Sequence, residues 1–113
     1  MANPSELARG NITGQWVLAL TLSPAAVAAS TIAEQTFTLT GAMVGDFVEL
    51  NKPSTQAGLG IVNSRISANG VLAIAFVNLN GSSLTPTSGE VYCAVVSRPV
   101  NVSAGLPTLT QIT

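Results

Sequence analysis

Histidine is absent from this chain of 113 residues, and cysteine occurs once, at Cys93. Without an imidazole no Cys–His or Ser–His nucleophile can be assembled. A lone thiol forms neither an intrachain disulfide nor a Cys-based zinc site, so Cys93 reads as a buried, inert packing residue on an inward-facing strand position. Charge is nearly as scarce: 8% of residues are charged, against about a quarter in an average globular domain. The charged set is Glu6, Arg9, Glu34, Asp46, Glu49, Lys52, Arg65, Glu90 and Arg98. The basic residues are scattered, and nucleic-acid binding needs them clustered to neutralise phosphates, so no nucleic-acid partner is expected. No apolar run approaches the roughly 20 residues that span a bilayer, so no membrane partner is expected either. Asp46 and Glu49 are the only near pair of carboxylates, and strand positions three apart lie on opposite faces. Neither an enzyme, nor a metal site, nor a cofactor is expected.

What the chain does have is 47% hydrophobic residues arranged with a period of two. Trp16, Leu18, Leu20 and Leu22 alternate with polar or small residues from Gln15 to Leu22, the pattern of a half-buried strand. The same alternation returns over Glu34–Thr40, Asp46–Asn51, Ile61–Ser67, Val71–Asn78 and Glu90–Arg98. In Ile61–Ser67, Val62 and Ile66 are expected to point inward. Asn69-Gly70 predicts a type I′ hairpin turn joining Ile61–Ser67 to Val71–Asn78. Val71–Asn78 is apolar on both faces, which predicts a central strand, and Ala25–Ser30 reads as an irregular crossover. The fold expected is all-β, a small antiparallel β-sandwich or barrel of about six to seven strands. Residues 1–14 read as an N-terminal arm, 15–98 as the sandwich domain and 99–113 as a C-terminal extension.

The run from Glu34 through Thr40-Gly41, Val44-Gly45-Asp46-Phe47-Val48, Asn51-Lys52-Pro53 and Gly58-Leu59-Gly60-Ile61-Val62-Asn63-Ser64-Arg65-Ile66-Ser67 resembles a structural module of tailed-bacteriophage virions. Leu72–Asn78 and the Pro86 loop leading to Tyr92 extend the likeness, which covers about residues 31–98. The resemblance implies a protein that decorates or cements a capsid, with a head-fibre or tail accessory subunit contacting host surface glycans as the alternative. It also implies synthesis in the host cytoplasm, a place on the capsid exterior and the major capsid protein as partner. The start of the chain lacks the basic-then-apolar order of a signal peptide, which fits that expectation.

So little charge on so small a chain predicts self-association, with a trimer suited to three-fold positions on an icosahedral shell. The candidate interface residues are Ile12, Trp16, Arg65, Val100, Val102, Leu106, Leu109 and Ile112. Most of them give the two arms more apolar character than disordered segments usually carry. Arg65, the only charge in its strand, is expected either to pair with a carboxylate such as Asp46 or Glu49 or to reach a solvent face and contact a partner.

Overall fold

Two three-stranded antiparallel sheets make up the fold in a computed structural model that describes residues 10–102 and Gly105. The strands are β1 (Ile12–Leu22), β2 (Thr31–Thr38), β3 (Phe47–Asn51), β4 (Leu59–Ala68), β5 (Val71–Asn78) and β6 (Glu90–Pro99). One sheet has the order β1-β6-β3 and the other β2-β5-β4. Their inner faces enclose a single core, in which Phe76, Tyr92, Leu72 and Ile74 are fully buried. The architecture is therefore the small all-β sandwich that the period-two patterning predicts, with six strands among the described residues.

β1 begins at Ile12 and β6 ends at Pro99, so each of these strands runs past the expected domain boundary. Ile12 pairs with Pro99 and Gly14 with Arg98. Val100 N–H also donates to the Asn11 carbonyl at 2.6 Å. A Cβ at Gly14 would lie 2.8 Å from the Trp16 ring, so a larger residue there would displace that side chain.

Two details of the β4–β5 hairpin depart from expectation. Gly70 has φ 79° but Asn69 does not share the positive φ that a type I′ turn demands at both positions. The register shifts between Ile66 and Ala68 and takes up the difference as a bulge. The hairpin tip docks on the loop after β2: Leu39 N–H donates to the Gly70 carbonyl and Gly70 N–H to that of Ala42, both at 2.8 Å.

A second irregularity, between Ile61 and Asn63, leaves Val62 exposed and not inward as its spacing from Ile66 suggested. One extra residue reverses the faces of everything beyond it. Leu59 and Ile61 pack on the core before the bulge and Ile66 after it. Ser64 then also takes an inward position and donates its Oγ–H to the Val48 carbonyl of the other sheet at 2.8 Å.

The crossovers between sheets are held by side-chain amides that imitate backbone. Asn78, fully buried on β5, donates through Nδ2 to the Val27 and Ser82 carbonyls at 3.0 and 2.9 Å and accepts from Asn80 N–H through Oδ1. Gln35 bonds both the N–H and the carbonyl of Ala25. Gln56 does the same across Thr85 and Thr87. Segment 23–30 is thus the irregular crossover expected, tied to the loop before β6 through an antiparallel bridge between Val27 and Leu84.

Candidate interaction surface

The two sheets treat their outer faces differently. On β2-β5-β4 the outward positions of the central strand include Ala73 and Ala75, which are nonetheless buried. Ala73 lies between Thr36 and Arg65 in register, and Ala75 between Glu34 and Asn63. Arg65 and Glu34 reach toward each other from the two edge strands. Arg65 Nε and Nη2 donate to Glu34 Oε2 and Oε1, both at 2.8 Å. The pair roofs the two alanines, so small central residues and long edge residues form one unit. Arg65 does make an ion pair, but neither Asp46 nor Glu49 is its partner. Both lie with the other sheet, while Glu34 is two strands away on its own.

On β1-β6-β3 no other described residue covers the outer face. Tyr92, Ala94 and Val96 of β6 point into the core, which leaves Val91, Cys93 and Val95 outward. Cys93 is exposed, contrary to the expectation of a buried thiol. The alternation within the strand was legible, but both of its faces are apolar, and only pairing with β1 and β3 decides which one meets the other sheet. In register, Val95 lies between Val17 and Glu49, Cys93 between Ala19 and Asn51, and Ser97 between Gln15 and Phe47. Val17 is 71% exposed, Phe47 57% and Val91 52%. Glu49, on edge strand β3, is the only charge on this face among the described residues.

The rest of the described charge is internally spent. Lys52 pairs with Glu90 at 2.8 Å, Arg65 with Glu34, and Arg98 with Asp46 at 2.9 Å. Every described cation therefore has a carboxylate, and Glu49 is the one described carboxylate that no cation answers. The Arg98 pair is the most enclosed on the acid side: Asp46 is buried, takes both Nε and Nη2 of Arg98, and accepts Met43 N–H at 2.9 Å. The Arg98 hydrogen bond holds the Asp46 carboxyl below its ordinary range. Burial opposes this, and Met43 N–H reinforces it. Arg98 also donates to the Gly41 carbonyl and lies 5.1 Å from the centre of the Trp16 ring, a cation–π contact.

Trp16 and Arg98 stand at an open seam. Edges β3 and β4 meet, whereas between β1 and the 39–42 loop after β2 a cleft of about 240 Å³ remains, lined also by Leu18 and Val96. Among the interface residues expected from sequence, Trp16 is half-exposed at this cleft, and Ile12 is half-buried within the β1–β6 ladder. Val100 and Val102 are exposed beyond the end of β6, where Val100 N–H bonds the Asn11 carbonyl. Arg65 is on the other sheet. Leu106, Leu109 and Ile112 lie outside the described residues. The apolar patch of Val17, Phe47, Val91, Cys93 and Val95 was missed, although the two-faced apolarity of Glu90–Arg98 was a signal for it.

Among the described residues no three His, Cys, Asp or Glu side chains converge in a way that could hold a metal ion. Comparison of the chain with family models, curated proteins and solved structures finds no match.

Proposed function

We propose that this chain is a non-enzymatic structural subunit of a tailed-bacteriophage type virion, attached to the outer capsid surface as a decoration or cement protein that stabilises the shell. The observation that carries the reading is the uncovered, nearly charge-free outer face of β1-β6-β3 on a molecule whose described cations are all paired. Such a surface gains by meeting protein and offers little to a charged ligand. The subunit works as a small oligomer, and the major capsid protein is its partner. Adhesion is passive, and the segments at either end of the chain extend it over neighbouring shell subunits.

The test is co-sedimentation of the purified chain with undecorated capsids of a tailed phage. Saturable binding at a fixed ratio to the shell protein, together with a raised temperature of capsid disruption, is the expected result. Absence of binding at any concentration overturns the reading. Trp16, half-exposed at the cleft beside Thr40 and Arg98, is the observation that favours the alternative, a head-fibre or tail accessory subunit contacting host glycans. A Trp16→Ala variant that lost binding to host cells but kept its capsid attachment would favour that alternative for the cleft.

A further inference from the structure

We infer that the outer face of β1-β6-β3, centred on Cys93, is where copies of this chain pack against one another. The inference rests on the reading of the chain as an oligomeric assembly subunit and assigns the contact within that oligomer.

A contact between identical copies sets a surface against itself or against a close neighbour on the same molecule, so it must tolerate like meeting like. A face carrying several charges of one sign repels its own copy. Among the described residues this one carries only Glu49, on the edge strand beside Val95. On the opposite face of the sandwich the Glu34–Arg65 pair lies across the middle, and packing a copy there would desolvate both charged groups. A foreign partner chosen by charge would have only Glu49 to read, whereas a second copy brings the same apolar row.

The extent of the face suits the role. Strands β1, β6 and β3 contain 11, 10 and 5 residues. At a rise of about 3.4 Å per residue and a spacing of about 4.8 Å between strands, they present roughly 400 Å² in projection, and more as side-chain surface. Two such faces together reach the ~1,000 Å² that a specific interface needs. The middle of the face is low, with Ala19 and Cys93 adjacent in register, and is bordered by Val17, Val91, Val95 and Phe47. Side chains of a facing sheet can settle into such a relief, as they do between the layers of a sandwich.

Cys93 supplies the readout. The full-length chain is sized by light scattering, and its thiol is labelled with a maleimide under native conditions, beside Val17→Lys on the proposed face and Ile32→Lys on the exposed outer face of β2. The unaltered chain and Ile32→Lys should be oligomeric. Their Cys93 should label at least about tenfold more slowly than in Val17→Lys, because a covered thiol reacts only in the open fraction. Val17→Lys should be monomeric and still unfold in one cooperative thermal transition, at a lower midpoint because association no longer stabilises the folded state. Thr21→Lys, which alters an already polar position on the same face, replaces it if the first variant does not fold. A monomeric native chain, an oligomer whose Cys93 labels as fast as in the monomer, or an oligomer that survives the lysine overturns the inference. Loss of capsid binding with oligomer and thiol protection intact overturns the virion reading alone.

Discussion

Tyr92 carries its hydroxyl into the core, where the Oη has no hydrogen-bond partner among the described residues. Burial, and next to it the charge of Glu90, pushes its pKa above the ordinary phenol value. An unpartnered buried hydroxyl costs desolvation with nothing returned. Tyr92→Phe should therefore raise stability by about 1 kcal/mol, measured as a shift in the midpoint of denaturant unfolding with an unchanged slope. A loss of stability would mean that the hydroxyl is satisfied in solution. Asn78 is the opposite case, a buried amide with its donors and its acceptor engaged. Asn78→Ala removes partners from Val27, Ser82 and Asn80 at once and should cost about 3 kcal/mol, read by the same unfolding measurement. Neither side chain was legible as special. Tyr92 sits in an ordinary alternating strand, and Asn78 stands at the end of one, where asparagine normally signals a turn. The partners of both are set by segments far away in the chain.

At the scale of elements, the Asp46–Arg98 pair ties the loop before β3 to the end of β6, and Glu34–Arg65 ties β2 to β4. The Asp46, Glu34 and Glu90 carboxyls are all held below their ordinary values by hydrogen bonds from Arg98, Arg65 and Lys52 respectively. A carboxyl whose folded pKa is depressed contributes stability that is complete above its unfolded value, 3.8 for Asp46 and 4.5 for the two glutamates. That contribution is lost as pH falls through the lower folded value. The thermal midpoint should accordingly hold level through neutral pH and fall below about pH 4. Asp46→Asn should start lower and show a shallower fall, and a variant with the same acid slope as the parent would remove Asp46 from this account. Strand existence and alternation were legible throughout, because a period of two is local. The bulge at Val62, the partner of Arg65 and the outward side of Cys93 were not, since each depends on which strand lies alongside.

Among the described residues, exposed apolar side chains lie on the outer face of β1-β6-β3 (Val17, Phe47, Val91) and past the end of the β1–β6 ladder (Val100, Val102), with others on the second sheet and in loops (Ile32, Val62, Val44, Leu79). Removal of residues 1–14 takes Ile12 and Gly14 out of register with Pro99 and Arg98 and deletes the Asn11 carbonyl that accepts from Val100. Such a truncation should melt at a lower temperature than one ending at residue 9, a comparison that calorimetry settles. Equal midpoints would show that the first three residues of β1 add nothing to the sheet.

The strand order also fixes a timetable for folding. The sheet β2-β5-β4 is built from residues 31–78 and contains the local β4–β5 hairpin, so it can close as soon as that stretch is available. In the sheet β1-β6-β3, by contrast, neither β1 nor β3 has a partner until β6 arrives, because both pair with β6 alone. The leucines of β1, made first, must wait for residues as distant as Pro99, and pairing across so long a loop is slow. During synthesis this leaves an unpaired apolar strand waiting on the last part of the domain. A chain interrupted before Glu90 would keep one sheet and permanently expose the inner face of what should have been the other.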